Sequence, residues 1–261
     1  MKNIRERLRK GETLIGCFLG LGSSITSEII GLAGFDWGLI DLEHGAGFES
    51  DVLHQLHALE HTDAAAVIRV ESLERQRFHR VLDLGAHGIM VPRVDTQEDA
   101  RKAVAAMRYQ PDGIRGIAKM NRACDFGSGF AGYFASAHTR LLTVLQIETK
   151  ESLGNLDAIA GTDGVDVLFV GPTDLSQSLG VMGESSHPRF LEAVKATSEA
   201  AGRYGKAAGI LASGPEEARR YWDLGYRFIA SNSDGGLLNS AARSLVESLR
   251  SVLPDRSGSG K

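Results

Sequence analysis

Glu148 closes one apolar run, residues 141–147, and Asp174 follows another, residues 165–170; both runs have the β-branched content and length of buried parallel strands. Between them Leu153, Leu156, Ile159 and Ala160 recur at helical spacing over 150–161. Strand, helix and strand make one right-handed βαβ unit, which carries the two carboxylates to the same end of a parallel sheet. Two acidic side chains meeting there suggest a divalent metal. Each also has a plainer reading: Glu148 favouring the dipole of the helix that follows it, and Asp174 capping a helix over 175–179.

The elements that must position these acids repeat along the whole chain of 261 residues. A short amphipathic helix over 3–10 precedes strands expected at 13–19, 37–42, 65–70, 88–94, 141–147, 165–170, 207–211 and 228–231. Helices over 24–34, 50–61, 73–84, 97–107, 150–161, 188–204, 216–224 and 237–253 alternate with them. Such alternation specifies an α/β architecture, and eight βα steps favour a closed (β/α)8 TIM barrel over an open doubly wound sheet. One domain over 1–253 is expected, with 254–261 as a disordered tail. Residues 109–140 break the rhythm with Pro111, Asp112 and Gly113 and a glycine-rich run. They read as an active-site or subunit-contact loop ending in a short helix over 130–138.

Polar residues that interrupt barrel strands are informative because the core is otherwise apolar. Asp41, Glu43 and His44 end the second strand, Arg69 the third, Gln146 and Glu148 the fifth, and Gly171 to Asp174 the sixth. All fall at carboxyl ends, the face where barrel enzymes keep their active sites. The plain reading of Arg69 is an ion pair with Asp41 or Glu43. His54, His57 and His61 mark a solvated helix flank, His79, His138 and His187 carry no pattern, and His87 precedes the fourth strand at the opposite face. Gly20 and Gly22 lack the third glycine of a dinucleotide fingerprint and read as a turn.

Composition narrows the classes. With 43% hydrophobic and 24% charged residues and a net charge of -4, the chain has no basic stripe for nucleic acid and no apolar segment fit to span a membrane. The charged amino-terminal segment lacks the apolar core of a signal peptide, so a cytoplasmic protein is expected. Cys17 and Cys124 have neither metal-ligand spacing nor disulfide-scaffold density and read as buried or incidental thiols.

In combination, DLEHG at 41–45, VIRV at 67–70, VPRV at 91–94, YQPDGIRG at 109–116, LQIET at 145–149 and FVGPTDLSQSLG at 169–180 resemble the metal-dependent pyruvate aldolases of the HpcH/HpaI type. That family includes 2-keto-3-deoxy-sugar-acid aldolases, and the likeness covers nearly the whole chain. It implies a barrel whose last helix packs on a neighbouring subunit of a trimer or hexamer. By the same resemblance Glu148 and Asp174 are the metal ligands, Arg69 binds the keto or enolate oxygen, and Gln146 neighbours the substrate. His44 is the base, oriented by Asp41 and Asp83. The backbone of Thr173 and Asp174, opened by Gly171 and Pro172, cradles the pyruvate carboxylate. Gly45, Ala46, Gly47 and Phe48 after the histidine depart from the family's pattern, and NRACDFG at 121–127 belongs to a variable region of it; both leave the aldehyde partner open.

The reaction so implied is retro-aldol cleavage of a 4-hydroxy-2-oxo acid, a small-molecule substrate, through a metal-held enolate. Two carboxylates completed by substrate and water suit Mg2+ or Mn2+, with Co2+ a further candidate, better than zinc, and no organic cofactor is implied. Oxaloacetate decarboxylation or acyl-CoA cleavage would use the same enolate. A Schiff-base aldolase would need a lysine in the mouth, where the sixth strand has none. A non-catalytic barrel acting as a scaffold is the reading from another class.

Overall fold

The protein is described from a computed structural model over residues 2–253; the expected tail at 254–261 lies outside the described residues. In order come α1 (Ile4–Arg9), β1 (Leu14–Leu19), α2 (Ser24–Leu32), β2 (Trp37–Asp41), α3 (Glu49–Glu60), β3 (Ala65–Arg69), α4 (Arg75–Asp83), β4 (Gly88–Val91) and α5 (Gln97–Met107). There follow α6 (Phe130–Arg140), β5 (Leu142–Ile147), α7 (Lys150–Gly154), α8 (Leu156–Ala160), β6 (Val167–Val170) and α9 (Pro172–Ser178). The chain continues through α10 (Pro188–Arg203), β7 (Ala207–Ala212), α11 (Pro215–Asp223), β8 (Tyr226–Ser233) and α12 (Asp234–Val252). Strands β1 to β8 pair in sequence order, all parallel, and β8 returns to β1, so the expected (β/α)8 barrel closes.

The alternation of side chains along each strand sorts the core into two layers. Trp37 and Leu39, Ala65 and Val67, Val144, and Phe169 fill the barrel interior. Their alternates Ile40, Ile68, Leu145 and Val170 lie outside, beneath the helices. Each fully buried valine, leucine, isoleucine or phenylalanine among them contributes about 1.5–3 kcal/mol. Continuing the same two-residue step towards the carboxyl ends brings Asp41, Arg69, Gln146, Glu148 and Gly171 to the inward side. At the other end, Trp37 and Phe228 stack with ring centroids 3.9 Å apart. A Cβ on Gly16 would stand 2.1 Å from the indole, so this floor requires a glycine there. Helix α1 closes the base with Ile4 and Leu8.

Three local expectations change. Helix 150–161 breaks at Asn155 (φ -111°, ψ 11°), whose side-chain amide donates to the Asp95 carbonyl at 2.8 Å instead of leaving the backbone to continue. Strand β4, expected over 88–94 with its end around Pro92, stops at Val91, because Pro92 offers no N–H to the ladder and Arg93 is left-handed at φ 49°. Segment 109–140 lies at the base of its own barrel, not at the mouth. It joins a helix to the next strand, and such connections lie at the amino-terminal face. Arg115, buried between the Tyr109 and Tyr133 rings, pins it there by pairing with Asp83 at 2.9 Å.

His87 sits on this basal face, as its place before β4 requires. Its Nδ1 accepts from the Ala66 N–H at 3.1 Å, and burial, with the Lys2 and Arg122 charges, pushes its pKa from 6.5 down to about 4. The folded state thus binds the proton less readily than the unfolded chain. Stability from this group is fully present above pH 6.5 and is lost as pH falls towards 4, amounting to roughly 3 kcal/mol. His87→Gln keeps an acceptor but does not titrate. Urea unfolding at pH 7 and pH 4.5 should show a smaller acid loss in the variant than in the wild type; equal losses would remove His87 from the acid response.

Helix α12 starts firmly and ends bare. Asp234 accepts from the Gly20 N–H at 2.9 Å and the Thr26 hydroxyl at 2.7 Å, which ties its first turn to the barrel. Beyond it Leu238, Leu245, Val246, Leu249 and Val252 are all exposed. Among the described residues no helix is long and apolar enough to cross a membrane.

Candidate active site

Register and alternation together assemble the mouth. Asp41 and Arg69 are direct neighbours across the parallel β2–β3 pair. Arg69 forks onto Asp41, Nε to Oδ1 at 2.9 Å and Nη2 to Oδ2 at 2.7 Å, while Nη1 reaches Glu43 Oε2 at 3.0 Å. Nη1 also donates to Gln146 Oε1 at 3.5 Å, and Gln146 Nε2 donates to Glu148 Oε2 at 2.8 Å. Glu148 Oε1 accepts the Arg93 N–H at 2.7 Å. Asp41, Arg69, Gln146 and Glu148 therefore form one continuous chain of polar contacts, with the Phe18 ring 5.3 Å beneath the guanidinium.

Charge is unevenly satisfied along this chain. Burial raises the Asp41 carboxyl, but the Arg69 fork and the N–H groups of His44 and Glu43 outweigh it and hold the group below the usual carboxylate range. Glu43 is raised by burial despite Arg69. Glu148, only 4% exposed, is pushed up to about 7 by burial, which the Arg93 N–H counters and the nearby Asp174 and Glu43 reinforce. A buried acid facing further acids is what a bound cation would relieve. Glu43, His44, Arg93, Glu148 and Asp174 line a common cavity of about 500 Å³.

The capping reading of Asp174 does not hold, and Glu148 does more than adjoin the amino-terminus of the next helix. Thr149 caps α7 by accepting from the Ser152 N–H, leaving Glu148 directed into the barrel. Helix α9 begins at Pro172 with Gly171 as its N-cap, so Asp174 lies within the first turn and caps nothing. The plain reading of Arg69 is correct: its ion pairs with both Asp41 and Glu43 exist, and they stand at the mouth. No lysine is among the described residues lining the cavity.

The set fits a hard divalent cation in part. Among the described residues no three His, Cys, Asp or Glu side chains converge as a metal cage. Glu148 and Asp174 are hard oxygen donors, and each Glu148 oxygen accepts one hydrogen bond while retaining acceptor capacity. Cations that keep several waters or substrate oxygens need no third protein ligand.

The expected support of His44 needs correction. Its imidazole is exposed, with Nε2 3.9 Å from Glu43 Oε2, while Asp41 meets only the His44 backbone N–H, at 3.3 Å. Asp83 is not brought to His44 within the chain, since its carboxylate belongs to the Arg115 pair. Being the last residue of α4, it lies at the basal end, because barrel helices run back from mouth to base.

Gly171 separates two functional walls. A Cβ there would fall 2.5 Å from Glu148 Oε2 and 3.2 Å from Gln146 Nε2. Gly171→Ala must therefore displace the Glu148 carboxylate. Turnover should fall by about 10–100-fold, since displacements near 1 Å are costly in a catalytic site. Steady-state kinetics beside circular dichroism would check this; full activity in the folded variant would mean the carboxylate position is unimportant.

Arg93 carries no role in the sequence pattern; its one signal there is a charge directly after the strand-ending Pro92, at the mouth.

Residues 14–241 match the model of the HpcH/HpaI aldolase/citrate lyase family. A 5-keto-4-deoxy-D-glucarate aldolase from Shigella boydii serotype 18 is 42% identical over 236 residues, 90% of this chain and 91% of that protein. The crystal structure of an HpcH/HpaI aldolase/citrate lyase family protein from Burkholderia cenocepacia J2315 superposes with a TM-score of 0.91 at 37% identity, covering 96% of this chain and 100% of that one. An HpcH/HpaI aldolase structure from Desulfitobacterium hafniense DCB-2 gives a TM-score of 0.89 at 25% identity over 97% and 98% of the two chains.

Proposed function

The chain belongs to the HpcH/HpaI aldolase/citrate lyase family, and from that premise we propose that it cleaves a 4-hydroxy-2-oxo acid of the keto-deoxy sugar-acid class to pyruvate and an aldehyde. The observation that carries this reading is the contact chain from Asp41 through Arg69 and Gln146 to Glu148, with Asp174 on the same cavity. The name of the Shigella boydii relative supports the substrate class. The protein is a carbon–carbon lyase.

In the cleavage the C4 hydroxyl gives up its proton and the C3–C4 bond breaks. The bonding electrons pass into the enolate of pyruvate, and C4 leaves as an aldehyde. Glu148 and Asp174 would hold Mg2+ or Mn2+, which when bound would supply Lewis-acid stabilisation of the charge on the enolate oxygen. Arg69, locked by its fork on Asp41, offers a fixed positive charge to the same oxygen without reorganisation. His44 takes the hydroxyl proton, a role worth roughly 10²–10⁴ in rate. The free N–H groups of Thr173 and Asp174, in the first turn of α9, face the pyruvate carboxylate across Gly171 and Pro172. Phe18, 5.3 Å from the Arg69 guanidinium, and Phe169, whose ring centroid lies 6.4 Å from that of Phe18, form the apolar floor beneath Arg69.

The bare apolar side chains of α12 support packing of this helix on a second copy of the chain, giving a homo-oligomer. A screen of 4-hydroxy-2-oxo acids with added Mg2+ or Mn2+, reading pyruvate through a coupled dehydrogenase, tests the reaction. Release that EDTA stops and metal restores is expected. A borohydride-trapped covalent pyruvate adduct would sink the metal mechanism, and turnover of oxaloacetate alone would make the enzyme a decarboxylase.

A further inference from the structure

Arg93 has no place in the chemistry above, yet the chain holds it with care. Its backbone is left-handed at φ 49°, a conformation that costs a non-glycine residue free energy and persists only where its surroundings impose it. Here its N–H is committed to Glu148 Oε1 at 2.7 Å. The residue is exposed at the rim of the cavity that Glu43, Glu148 and Asp174 make acidic. Among the described residues its guanidinium has no hydrogen bond, ion pair or ring partner, and of the side chains lining the cavity it alone carries a permanent positive charge.

Resting on the retro-aldol reading, we propose that Arg93 receives a carboxylate at the far end of the aldehyde half, making it the residue that selects dicarboxylic 4-hydroxy-2-oxo acids. The inner end of the cavity is occupied by the oxo-acid half, close to Glu148 and Asp174. A tail extending from C4 runs outward to the rim, and a cavity of about 500 Å³ accommodates a six-carbon acid. An anionic tail is repelled by every acidic wall of this cavity and attracted at one point. A single guanidinium matches a single planar carboxylate through two parallel N–H···O bonds. A phosphate dianion, by contrast, would meet one cation among three acids. A neutral polyol tail gains nothing from an unpaired cation. Because the backbone N–H, not the side chain, supports Glu148, selection of the tail is separable from placement of the metal ligand.

The test is aldol addition of pyruvate, with Mg2+ present, to succinic semialdehyde, which carries a terminal carboxylate, and to glyceraldehyde, which does not. The wild type should favour the acidic aldehyde in kcat/KM. Arg93→Gln should cut the acidic-to-neutral ratio of kcat/KM by about 10–100-fold, chiefly through KM. Arg93→Lys should restore part of the ratio, because it returns the charge but not the fork. An unchanged ratio in Arg93→Gln, or no preference in the wild type, overturns the assignment. Exchange of pyruvate methyl protons in D2O by the wild type needs no aldehyde and keeps the two levels apart. Exchange with an unchanged ratio sinks Arg93 alone, whereas no metal-dependent exchange sinks the retro-aldol reading and the assignment with it.

Discussion

Glu148→Gln and Asp174→Asn should each lower metal-dependent pyruvate release by about 10³-fold or more, the loss expected when roughly 4 kcal/mol of enolate stabilisation goes with the cation. Each substitution keeps size but removes one charge and replaces one acceptor oxygen by an amide donor. Glu148 has no arginine on its own oxygens, only the Arg93 N–H and the Gln146 amide. The fold therefore does not depend on its charge, and burial among like charges already pushes it up to about 7. Glu148→Gln should leave the metal-free protein close to the wild type in stability, removal of a buried charge offsetting the loss of one acceptor towards the Gln146 amide or the Arg93 N–H, while weakening Mn2+ binding. Electron paramagnetic resonance titration of Mn2+, thermal unfolding and turnover read the three effects separately. Because the two carboxylates would act as a unit, the double variant should be scarcely worse than either single one. Full turnover in either single variant would end the two-carboxylate assignment.

Arg69→Ala should be the most damaging single change, since it strikes fold and chemistry together. Arg69 is buried, and its fork on Asp41 and contact with Glu43 are the principal cationic partners of two acids at the mouth. Deleting one partner of a buried pair leaves the other desolvated and typically costs about 3–5 kcal/mol. The variant should melt well below the wild type and show no measurable turnover. Arg69→Lys returns a charge without the bidentate geometry, so it should recover much of the stability and little of the rate. Arg69→Met combined with Asp41→Leu removes both charges of the fork and should recover stability with no activity. If Arg69→Lys turned over at the wild-type rate, the guanidinium geometry would be irrelevant to the enolate.

Much of this arrangement is legible in residue order because barrel strands are strict about parity. A polar residue two steps beyond an inward apolar one must also face inward, which is why Asp41, Arg69, Gln146 and Glu148 could be placed at one mouth from their positions alone. Which partner each would choose was not legible. Arg69 had both Asp41 and Glu43 within reach and took both. Asp83 gave no local sign of its pairing with Arg115, thirty-two positions away, because that contact depends on how segment 109–140 folds back beneath the barrel. Nor does sequence pattern report a left-handed backbone at an arginine, where the tertiary hydrogen bond to Glu148 overrides local preference.

The two-layer alternation also sets which changes this chain can survive over evolutionary time. Within β5, Val144 and Gln146 point inward and Leu145 and Ile147 outward, with Glu148 next in line. Loss or gain of one residue before Gln146 would exchange the two sets, sending the amide and the carboxylate towards the helices and two aliphatic side chains into the mouth. Substitution at the rim, at Arg93 or in the loop after His44, disturbs none of this. On the proposed mechanism, the fold lets preference for the aldehyde drift by point changes, while the reading frame of each strand stays locked to the enolate chemistry.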